Sequence, residues 1–308
     1  MKTPTILVTG GCGYLGAHLL REMAADSNFN GVRVRILDNL SSGTIASLCN
    51  LPSGPEFEFI EGDILSPSVT RLALKDVDWV IHLAALVSTP FSFNQPTSIQ
   101  QINQWGTAQL LEHCRNAGVT RFVYTSSVSV YGPGGSFTEA MDCRPIGLYS
   151  QSKLNAEYAV LTAGSSTLKS NVLRLATLYG GEPALMRFDA VANRFAYLTG
   201  TARSLIIYGS GEQTRPLIHV QDAARAILFL LRQEASAAEI YNVVECNPSI
   251  ESLARILVEL QPDTNIRYTD QDYREHFSLM VDHEKMRTLG WAAQERLKPA
   301  LGRLMENF

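Results

Sequence analysis

The sequence predicts an α/β protein with a doubly wound parallel sheet and a smaller C-terminal lobe. Short runs of β-branched and aromatic residues alternate with helical patterns through about the first 180 residues. A glycine-rich turn directly follows the first of these runs. Beyond this part the elements become longer and less regular, and a chain of 308 residues exceeds what one core usually accommodates.

Six runs are predicted as strands buried on both faces of the sheet, because their apolar residues are nearly continuous rather than alternating. They are TILVT (5–9), RVRIL (33–37), FEFIE (57–61), DWVIHLA (78–84), RFVYTS (121–126) and NVLRLA (171–176).

Parallel strands need crossover connections, and helical patterns supply them between the strands. The predicted helices there cover 13–25, 97–116 and 149–163. The later part contains a predicted helix at 184–199, a strand at 205–208 and a helix at 219–233. We expect residues 1–180, with a strand and a helix from about 205–245, to form the sheet domain, and residues 181–308 to form most of the smaller lobe.

Charge and cysteine content exclude several classes of function. The net charge is -4 without any run of lysines or arginines, so nothing supplies the basic surface that nucleic acids or anionic membranes require. The five cysteines are scattered and lack C-x-x-C spacing, which argues against a zinc site and a disulfide framework. The longest later apolar stretch, 226–231, is far shorter than the roughly 20 residues of a membrane span. We expect a cytoplasmic protein without metal, nucleic-acid or membrane partners.

The glycine turn TGGCGYLG places Gly10, Gly13 and Gly16 between the first strand and its helix. Glycine lets the backbone turn tightly and approach a pyrophosphate while helix N–H groups face the anion, although an ordinary strand-to-helix turn also favours glycine. Asp38 ends the second strand, near where a carboxylate takes the ribose hydroxyls of NAD. That carboxylate would repel the 2′-phosphate of NADP, so the sequence predicts a Rossmann-type NAD site.

Residues after the third and fourth strands extend this site. Asp63 is placed to accept a hydrogen bond from the adenine amino group, and a turn or N-cap aspartate is the alternative interpretation. The segment Leu83, Ala84 and Ala85 ends the fourth strand and would let the cofactor backbone pass close.

The segment YSQSK sets Tyr149 and Lys153 four positions apart. On a helix these residues share one face, with Cβ atoms about 5–6 Å apart. The ammonium and a positive nicotinamide ring both favour the phenolate, which brings the tyrosine pKa toward the range of a general base. Chance alone yields about 0.2 such pairs in a chain of this composition, so the spacing needs support from its surroundings.

Three serines supply part of that support. Ser126, Ser127 and Ser129 lie at the carboxyl end of a predicted strand, where open α/β sheets bind ligands. A hydroxyl there can hold the reacting oxygen, and a surface loop that satisfies its own backbone is the alternative.

Together these motifs resemble the extended short-chain dehydrogenase/reductase superfamily, in particular its NAD-dependent sugar epimerase/dehydratase branch with the UDP-glucose 4-epimerase-like enzymes. The resemblance implies an NAD-binding domain, a C-terminal lobe that binds a nucleoside-diphosphate sugar, and a homodimer paired through two helices of each subunit. The segments that carry it are TGGCGYLG (9–16), DNLSSG (38–43), GDI (62–64), HLAA (82–85), TSSVSVYG (125–132), YSQSK (149–153), LRLATLYG (173–180) and RPLIHVQDAARAI (215–227).

The resemblance also implies roles for individual residues. Its catalytic tyrosine, lysine and Ser/Thr correspond to Tyr149, Lys153 and Ser127, and Lys153 would also hold the nicotinamide ribose. The implied cofactor-binding residues are Gly10, Gly13, Tyr14, Leu15, Gly16, Asp38, Asn39, Ser42, Asp63, Ile64, Leu83, Ala84, Ala85, Asn103, Tyr149 and Lys153. The implied substrate-binding residues are Val87, Ser88, Ser127, Ser129, Thr177, Arg215 and Arg274.

Among the reactions of this family, the residues after Ser127 favour 4-epimerization through a transient 4-keto sugar. The 4,6-dehydratases carry an Asp-Glu pair there, the decarboxylases a Glu at the second position and the 3,5-epimerizing branch a Cys at the first, whereas this chain has Val128 and Ser129. A C4 ketoreductase or dehydrogenase with net redox turnover uses the same residues and stays open. A dehydratase and a non-catalytic NAD-binding regulator are further alternatives.

The substrate residues of the later part rest on the resemblance as well. Arg215 corresponds to an arginine that grips the substrate diphosphate, and Arg274 fits the family pattern more loosely. Thr177 replaces the usual asparagine and cannot donate an amide N–H, so the sugar or its contacts are expected to differ. His82, His219 and His276 lack metal-ligand spacing and are interpreted as structural.

Overall fold

The computed structural model describes residues 3–87, 95–233, 238–270 and 277–308. The chain divides into two compact units. The first contains residues 1–130, 145–174 and 224–241, and the second contains residues 131–144, 175–223 and 242–308.

The secondary-structure elements are numbered here in chain order. The strands are β1 (Thr5–Thr9), β2 (Arg33–Asp38), β3 (Glu56–Glu61), β4 (Trp79–His82), β5 (Arg121–Ser127), β6 (Ser136–Phe137), β7 (Lys169–Leu175), β8 (Thr177–Tyr179), β9 (Leu205–Tyr208), β10 (Leu217–His219), β11 (Ala238–Val243), β12 (Ile266–Thr269) and β13 (Met280–Val281). The helices are α1 (Tyr14–Ala25), α2 (Pro67–Ala73), α3 (Pro96–Ile99), α4 (Thr107–Ala117), α5 (Leu148–Ala163), α6 (Val191–Gly200), α7 (Val220–Arg232), α8 (Ile250–Leu260), α9 (Glu284–Thr288) and α10 (Leu297–Met305).

The first unit is built on a seven-stranded sheet with the order β11-β7-β5-β4-β1-β2-β3. The pairings of β1 with β2 and β4, of β2 with β3 and of β4 with β5 are parallel. The strand order changes direction between β1 and β4, whose last residues Thr9 and His82 lie in register. Open α/β sheets bind ligands outside the carboxyl ends of the strands at such a switch point. The predicted fold class is confirmed.

Apolar continuity explains why β1 lies at the centre of this sheet. All five of its residues are buried, with Ile6, Leu7 and Val8 fully inaccessible. Helices α4 and α5 cover one face, where Leu110 and Val160 belong to the same apolar cluster as Leu7. Burying both faces of a strand in this way requires the unbroken apolar run seen in the sequence.

The predicted helix at 97–116 is helical throughout, but its middle part is not α-helical. Residues Pro96–Ile99 are α-helical, Gln100–Gly106 form a π-helical stretch, and α4 continues from Thr107. Gly106 ends the π-helical part where a Cβ atom would lie 2.9 Å from Ile64 Cδ1. π-Helical turns occur frequently at functional sites, and this one contains Asn103, one of the predicted cofactor residues.

The second unit contains the short parallel pairs β8/β10 and β9/β12 together with helices α6, α8 and α10. The predicted helix at 184–199 starts later than expected, because α6 begins only at Val191. The Asn193 side chain forms hydrogen bonds with backbone groups of the loop before it. It accepts from the Gly180 N–H at 2.8 Å and donates to the Arg187 carbonyl at 2.9 Å. No helix within the described part of the chain is long and apolar enough to cross a membrane.

Candidate active site

The glycine turn after β1 is shaped for close backbone contacts. Gly10 has a φ of +73°, and a Cβ atom at this position would lie 2.6 Å from the Ala84 backbone nitrogen. A Cβ atom on Gly16 would lie 2.5 Å from the Gly10 carbonyl oxygen. Both positions therefore exclude a side chain, as expected for a turn whose N–H groups approach a pyrophosphate.

Asp38 lies directly beside this turn, at the end of β2. Its carboxylate accepts the Cys12 N–H at 2.9 Å and the Leu40 N–H at 2.8 Å, so the side chain is held in a fixed position. Burial, and then the negative charge of Asp38, raise the pKa of the Cys12 thiol to about 11. The thiol is therefore neutral at physiological pH. Gly43 closes the loop after β2 against the same turn, since its Cβ atom would lie 2.5 Å from the Cys12 carbonyl oxygen.

Asp63 and Asn39 meet after β3 and β2. One Asp63 oxygen accepts the Asn39 amide at 2.8 Å, and the other accepts the Leu65 N–H at 2.8 Å. Asp63 therefore forms the turn predicted as its alternative role while it lies beside a second predicted cofactor residue. Among the remaining cofactor residues, Tyr14 and Leu15 are half-buried in the first turn of α1, Ile64 is buried and Ser42 is exposed.

The loop after β4 is fixed by Asn103. Its side-chain oxygen accepts the Leu86 N–H at 2.8 Å, and its amide donates to the Leu86 carbonyl at 2.9 Å and to Ser152 Oγ at 3.1 Å. Asn103 thus connects the loop that contains Leu83, Ala84 and Ala85 to helix α5. Its role in the described contacts is to position this loop.

Tyr149 occupies the first turn of α5, two residues after Gly147, whose φ is +83°. The tyrosine side chain is half-buried, whereas Lys153 one turn later is only 4% exposed. The Lys153 ammonium donates to the Thr125 carbonyl at 2.8 Å and lies 4.8 Å from the centre of the Tyr124 ring. Burial lowers the pKa of Lys153 to about 7, against the opposing attraction of Glu157.

Glu157 and Arg174 form a buried ion pair behind Lys153. The two side chains are 1% and 4% exposed, and Arg174 binds both carboxylate oxygens, with Nη2 at 2.7 Å from Oε2. Ser126 donates its hydroxyl to the same carboxylate. Of the three predicted serines, Ser126 therefore belongs to this internal network. Ser127 and Ser129 are both half-buried.

A chain of hydroxyl groups joins the end of β5 to α5. Ser150 donates to Ser129 Oγ at 2.9 Å, and Ser129 donates to Ser127 Oγ at 3.0 Å. The Ser129 N–H also donates to Ser127 Oγ, at 3.2 Å. The structure thus brings Ser127 and Ser129 together and places Ser150, the neighbour of Tyr149, beside them.

His82 is a structural residue in this unit. Its imidazole is fully buried between Thr9 Oγ1 at 2.7 Å and Thr107 Oγ1 at 2.9 Å. Burial, and then the charge of Lys153, lower the pKa of His82 to about 3. The ring is therefore neutral at physiological pH and links β1, β4 and α4.

The second unit contains the predicted substrate residues Thr177 and Arg215. The register of β8 with β10 pairs Thr177 with Leu217, and the Thr177 N–H donates to the Pro216 carbonyl at 3.0 Å, so Arg215 lies close by in the chain. Arg215 donates to the carbonyls of Thr214 and Phe277 and lies 5.6 Å from the Phe277 ring centre. Val87 is exposed in the first unit. Ser88, Arg274 and His276 lie outside the described residues.

Sequence reasoning missed four residues that shape the site. No motif spacing predicts the contacts of these residues, which are Gly43, Ser150, Glu157 and Arg174. Glu157 lies four residues after Lys153, so the helical i, i+4 pattern offered a signal for this pair. Ser150 and Arg174 acquire their partners only through long-range folding.

A comparison with protein families finds one that covers most of the chain. The NAD dependent epimerase/dehydratase family matches residues 6–243.

Two of the similar proteins are named for different reactions. The chain is 27% identical over 322 residues to the dTDP-D-glucose 4,6-dehydratase of Bos taurus, covering 98% of this chain and 89% of the relative. It is 29% identical over 306 residues to a putative UDP-glucose 4-epimerase of Methanocaldococcus jannaschii, covering 97% of each. A solved structure, MoeE5 in complex with UDP-glucose and NAD, has a TM-score of 0.84 and 28% identity, and the match covers 98% of this chain and 97% of that one.

Proposed function

The chain belongs to the NAD-dependent epimerase/dehydratase family, and on this premise we propose that it is a nucleoside-diphosphate-sugar 4-epimerase. Its cofactor is NAD, as the family description states. The substrate class is supported by relatives named for UDP-glucose and dTDP-glucose chemistry and by the solved complex of MoeE5 with UDP-glucose and NAD.

The described residues fit this cofactor. The turn at Gly10 and Gly16 excludes side chains where a pyrophosphate would approach, and the fixed Asp38 carboxylate suits the ribose hydroxyls. Lys153 offers a buried ammonium for the nicotinamide ribose. Bound there, NAD would supply a reversible hydride acceptor for C4 of the sugar, so that epimerization needs no other oxidant.

The residues of this chain supply the proton chemistry. Tyr149 takes the proton of the C4 hydroxyl while Ser127 donates a hydrogen bond to the same oxygen. A 4-keto sugar would result once C4 has also given up its hydride to the cofactor. A protonated Lys153 next to the tyrosine favours the phenolate electrostatically. After the keto sugar has rotated to present its other face and has been reduced again, Tyr149 returns the proton to the C4 oxygen. The proton that Tyr149 takes is the one that it returns, so the cycle needs no acid or base besides Tyr149.

One observation carries the choice of 4-epimerization over dehydration. The groups that hydrogen-bond to Ser127 and its partner Ser129 are hydroxyls and a backbone N–H, and no carboxylate does so within the described ranges. Val128 is buried in the core with 4% exposure. Elimination across C5 and C6 needs an acid and a base that this arrangement does not supply.

Dehydration remains the second candidate, because the relative from Bos taurus is a 4,6-dehydratase. A C4 ketoreductase or dehydrogenase would use the same Tyr149 and Lys153, with exchangeable cofactor in place of retained cofactor. The substrate contacts of Thr177, Arg215 and Val87 belong to the proposal as well, as do those of Ser88 and Arg274 outside the described residues. Ser129, also predicted as a substrate residue, acts on the substrate through its hydrogen bond to Ser127.

We also propose that the protein is a homodimer paired through the helical segment 100–117 and α5. Trp105 is 67% exposed and Tyr158 is 60% exposed, which is unusual for such large side chains on a monomer surface. The two segments are adjacent, since Asn155 donates to Gln104 at 3.0 Å. A second copy of the chain would cover both aromatic side chains. A cytoplasmic location is proposed because all five cysteines are free thiols.

The proposal is tested by product analysis of the purified protein. UDP-glucose and dTDP-glucose are incubated with it in the absence of added cofactor, and C4 epimers are separated from 4-keto-6-deoxy sugars. We expect the C4 epimer from the wild type and from a Tyr268→Phe control, whose tyrosine is exposed on β12. Tyr149→Phe should abolish turnover and leave NAD binding intact. A 4-keto-6-deoxy product, or a need for stoichiometric NADH, would overturn the epimerase assignment.

A further inference from the structure

The hydroxyl of Ser127 is already committed as an acceptor. It receives the Ser129 hydroxyl at 3.0 Å and the Ser129 N–H at 3.2 Å. A serine hydroxyl has two lone pairs and one O–H, so these two contacts occupy its acceptor capacity. The O–H of Ser127 is therefore left to donate a hydrogen bond to another group.

The direction of this chain is set by Ser150. Its hydroxyl donates to Ser129 Oγ at 2.9 Å, which leaves the Ser129 hydrogen to point at Ser127. Ser150 is buried in the first turn of α5, next to Tyr149, and Ser129 lies in the 3₁₀ turn Val128–Tyr131 that follows β5. The chain of hydroxyls therefore also ties the turn that presents Tyr149 to the strand end that presents Ser127.

We propose that Ser150 and Ser129 form a hydroxyl relay that positions Ser127 as a hydrogen-bond donor to the C4 oxygen of the sugar. Both are positioning residues, because their contacts are with each other and with Ser127. No proton leaves the relay: the C4 hydroxyl proton goes to Tyr149, and Ser127 keeps its own. The inference rests on the proposed function in taking Ser127 to hold the reacting oxygen, and it applies to any reaction that begins with oxidation at C4.

The test uses that first oxidation step alone. The NAD-loaded protein is mixed with UDP-glucose or dTDP-glucose, whichever reduces the bound cofactor faster, and NADH absorbance is followed in a single turnover. Ser129→Ala should lower the rate constant about 10-fold and Ser150→Ala about 3-fold, the usual range for one neutral hydrogen bond. The sugar-nucleotide dissociation constant should change less than about twofold, since the relay acts on the reacting oxygen.

A double variant separates a relay from independent packing effects. Because Ser150 acts only through Ser129, Ser129→Ala combined with Ser150→Ala should be no slower than Ser129→Ala alone. Ser129→Thr keeps the hydroxyl and should restore most of the rate. Thr162→Ala, at the exposed end of α5, is the matched control and should react as the wild type does. Thermal melting of each variant checks that it folds.

Two results would overturn the relay: an undiminished rate in Ser129→Ala, or single effects that multiply in the double variant. The products of the same reactions report separately on the proposed function. If the wild type reduces NAD and forms no C4 epimer, the epimerase assignment fails, while the rate comparison among the serine variants still decides the relay.

Discussion

Replacing Lys153 with methionine is expected to stabilise the cofactor-free protein while it abolishes turnover. The lysine is 4% exposed, and burial lowers its pKa from 10.5 to about 7. The folded protein therefore bears a cost for holding this ammonium away from water. Methionine fills a similar volume without a charge, so the variant loses that cost together with the catalytic cation.

The magnitude follows from the difference between the two pKa values. The pKa of Lys153 falls from 10.5 to about 7, and each pH unit corresponds to about 1.4 kcal/mol. Burying the ammonium therefore costs at most about 5 kcal/mol. The variant also loses the hydrogen bond to the Thr125 carbonyl, which for a charged donor contributes about 1.5–3 kcal/mol. We therefore expect Lys153→Met to raise the free energy of unfolding by about 2–3 kcal/mol at and below pH 7.

The pH dependence has a definite sign. Between pH 7 and 10.5 the unfolded chain binds the lysine proton and the folded chain has lost it, so the stability of the wild type rises with pH in this window. The advantage of the variant should therefore shrink above pH 7. At about 1.4 kcal/mol for each pH unit, an advantage of about 2–3 kcal/mol is used up by about pH 9, and above that pH the wild type should be the more stable protein.

Urea unfolding of NAD-free wild type and variant from pH 6 to 10 measures this difference. Lys75→Met is the matched control, because Lys75 is exposed on the surface, and its difference from the wild type should not follow this curve. A Lys153→Met protein that is less stable than the wild type by the same amount at every pH would refute the reasoning.

Three further outcomes are expected. Gly10→Ala should abolish NAD binding in titration calorimetry, because its Cβ atom would lie 2.6 Å from the Ala84 nitrogen, whereas Gly31→Ala, with similar φ and open surroundings, should bind normally. Asp38→Asn should lower the ratio of NAD to NADP affinity about 10-fold or more in fluorescence titrations, and an unchanged ratio would contradict the role of the carboxylate. Trp105→Lys should halve the mass measured by light scattering, and an unchanged mass would exclude this helix from the dimer interface.

The sheet was predictable because its signals are local. The run TILVT has three consecutive apolar residues between two threonines and is followed directly by glycines, and both properties are visible in the sequence. The irregular helical segment after Pro96 was not predictable from periodicity, because its π-helical part keeps apolar residues at nearly helical spacing. The late start of α6 depends on Asn193, whose side chain supports the preceding loop instead of a longer helix.

In the candidate site, too, residues within local motifs were predictable and residues paired by long-range folding were not. Tyr149, Lys153 and Ser127 could be proposed from the sequence alone, because motifs of fixed spacing place them on one predicted helix and at one predicted strand end. Arg174 was missed, because its pairing with Glu157 depends on the packing of β7 against α5 and on burial that no local pattern encodes. Ser150 was missed for the same reason, since only the fold places it beside Ser129.

A nucleoside-diphosphate hexose labelled with deuterium at C4 gives the most direct test of the central claim. The protein, without added cofactor, should convert it to the C4 epimer with the deuterium still on C4, because the hydride leaves and returns within one bound complex. A product that has lost its C6 oxygen, or deuterium that appears on released nicotinamide cofactor, would contradict the account.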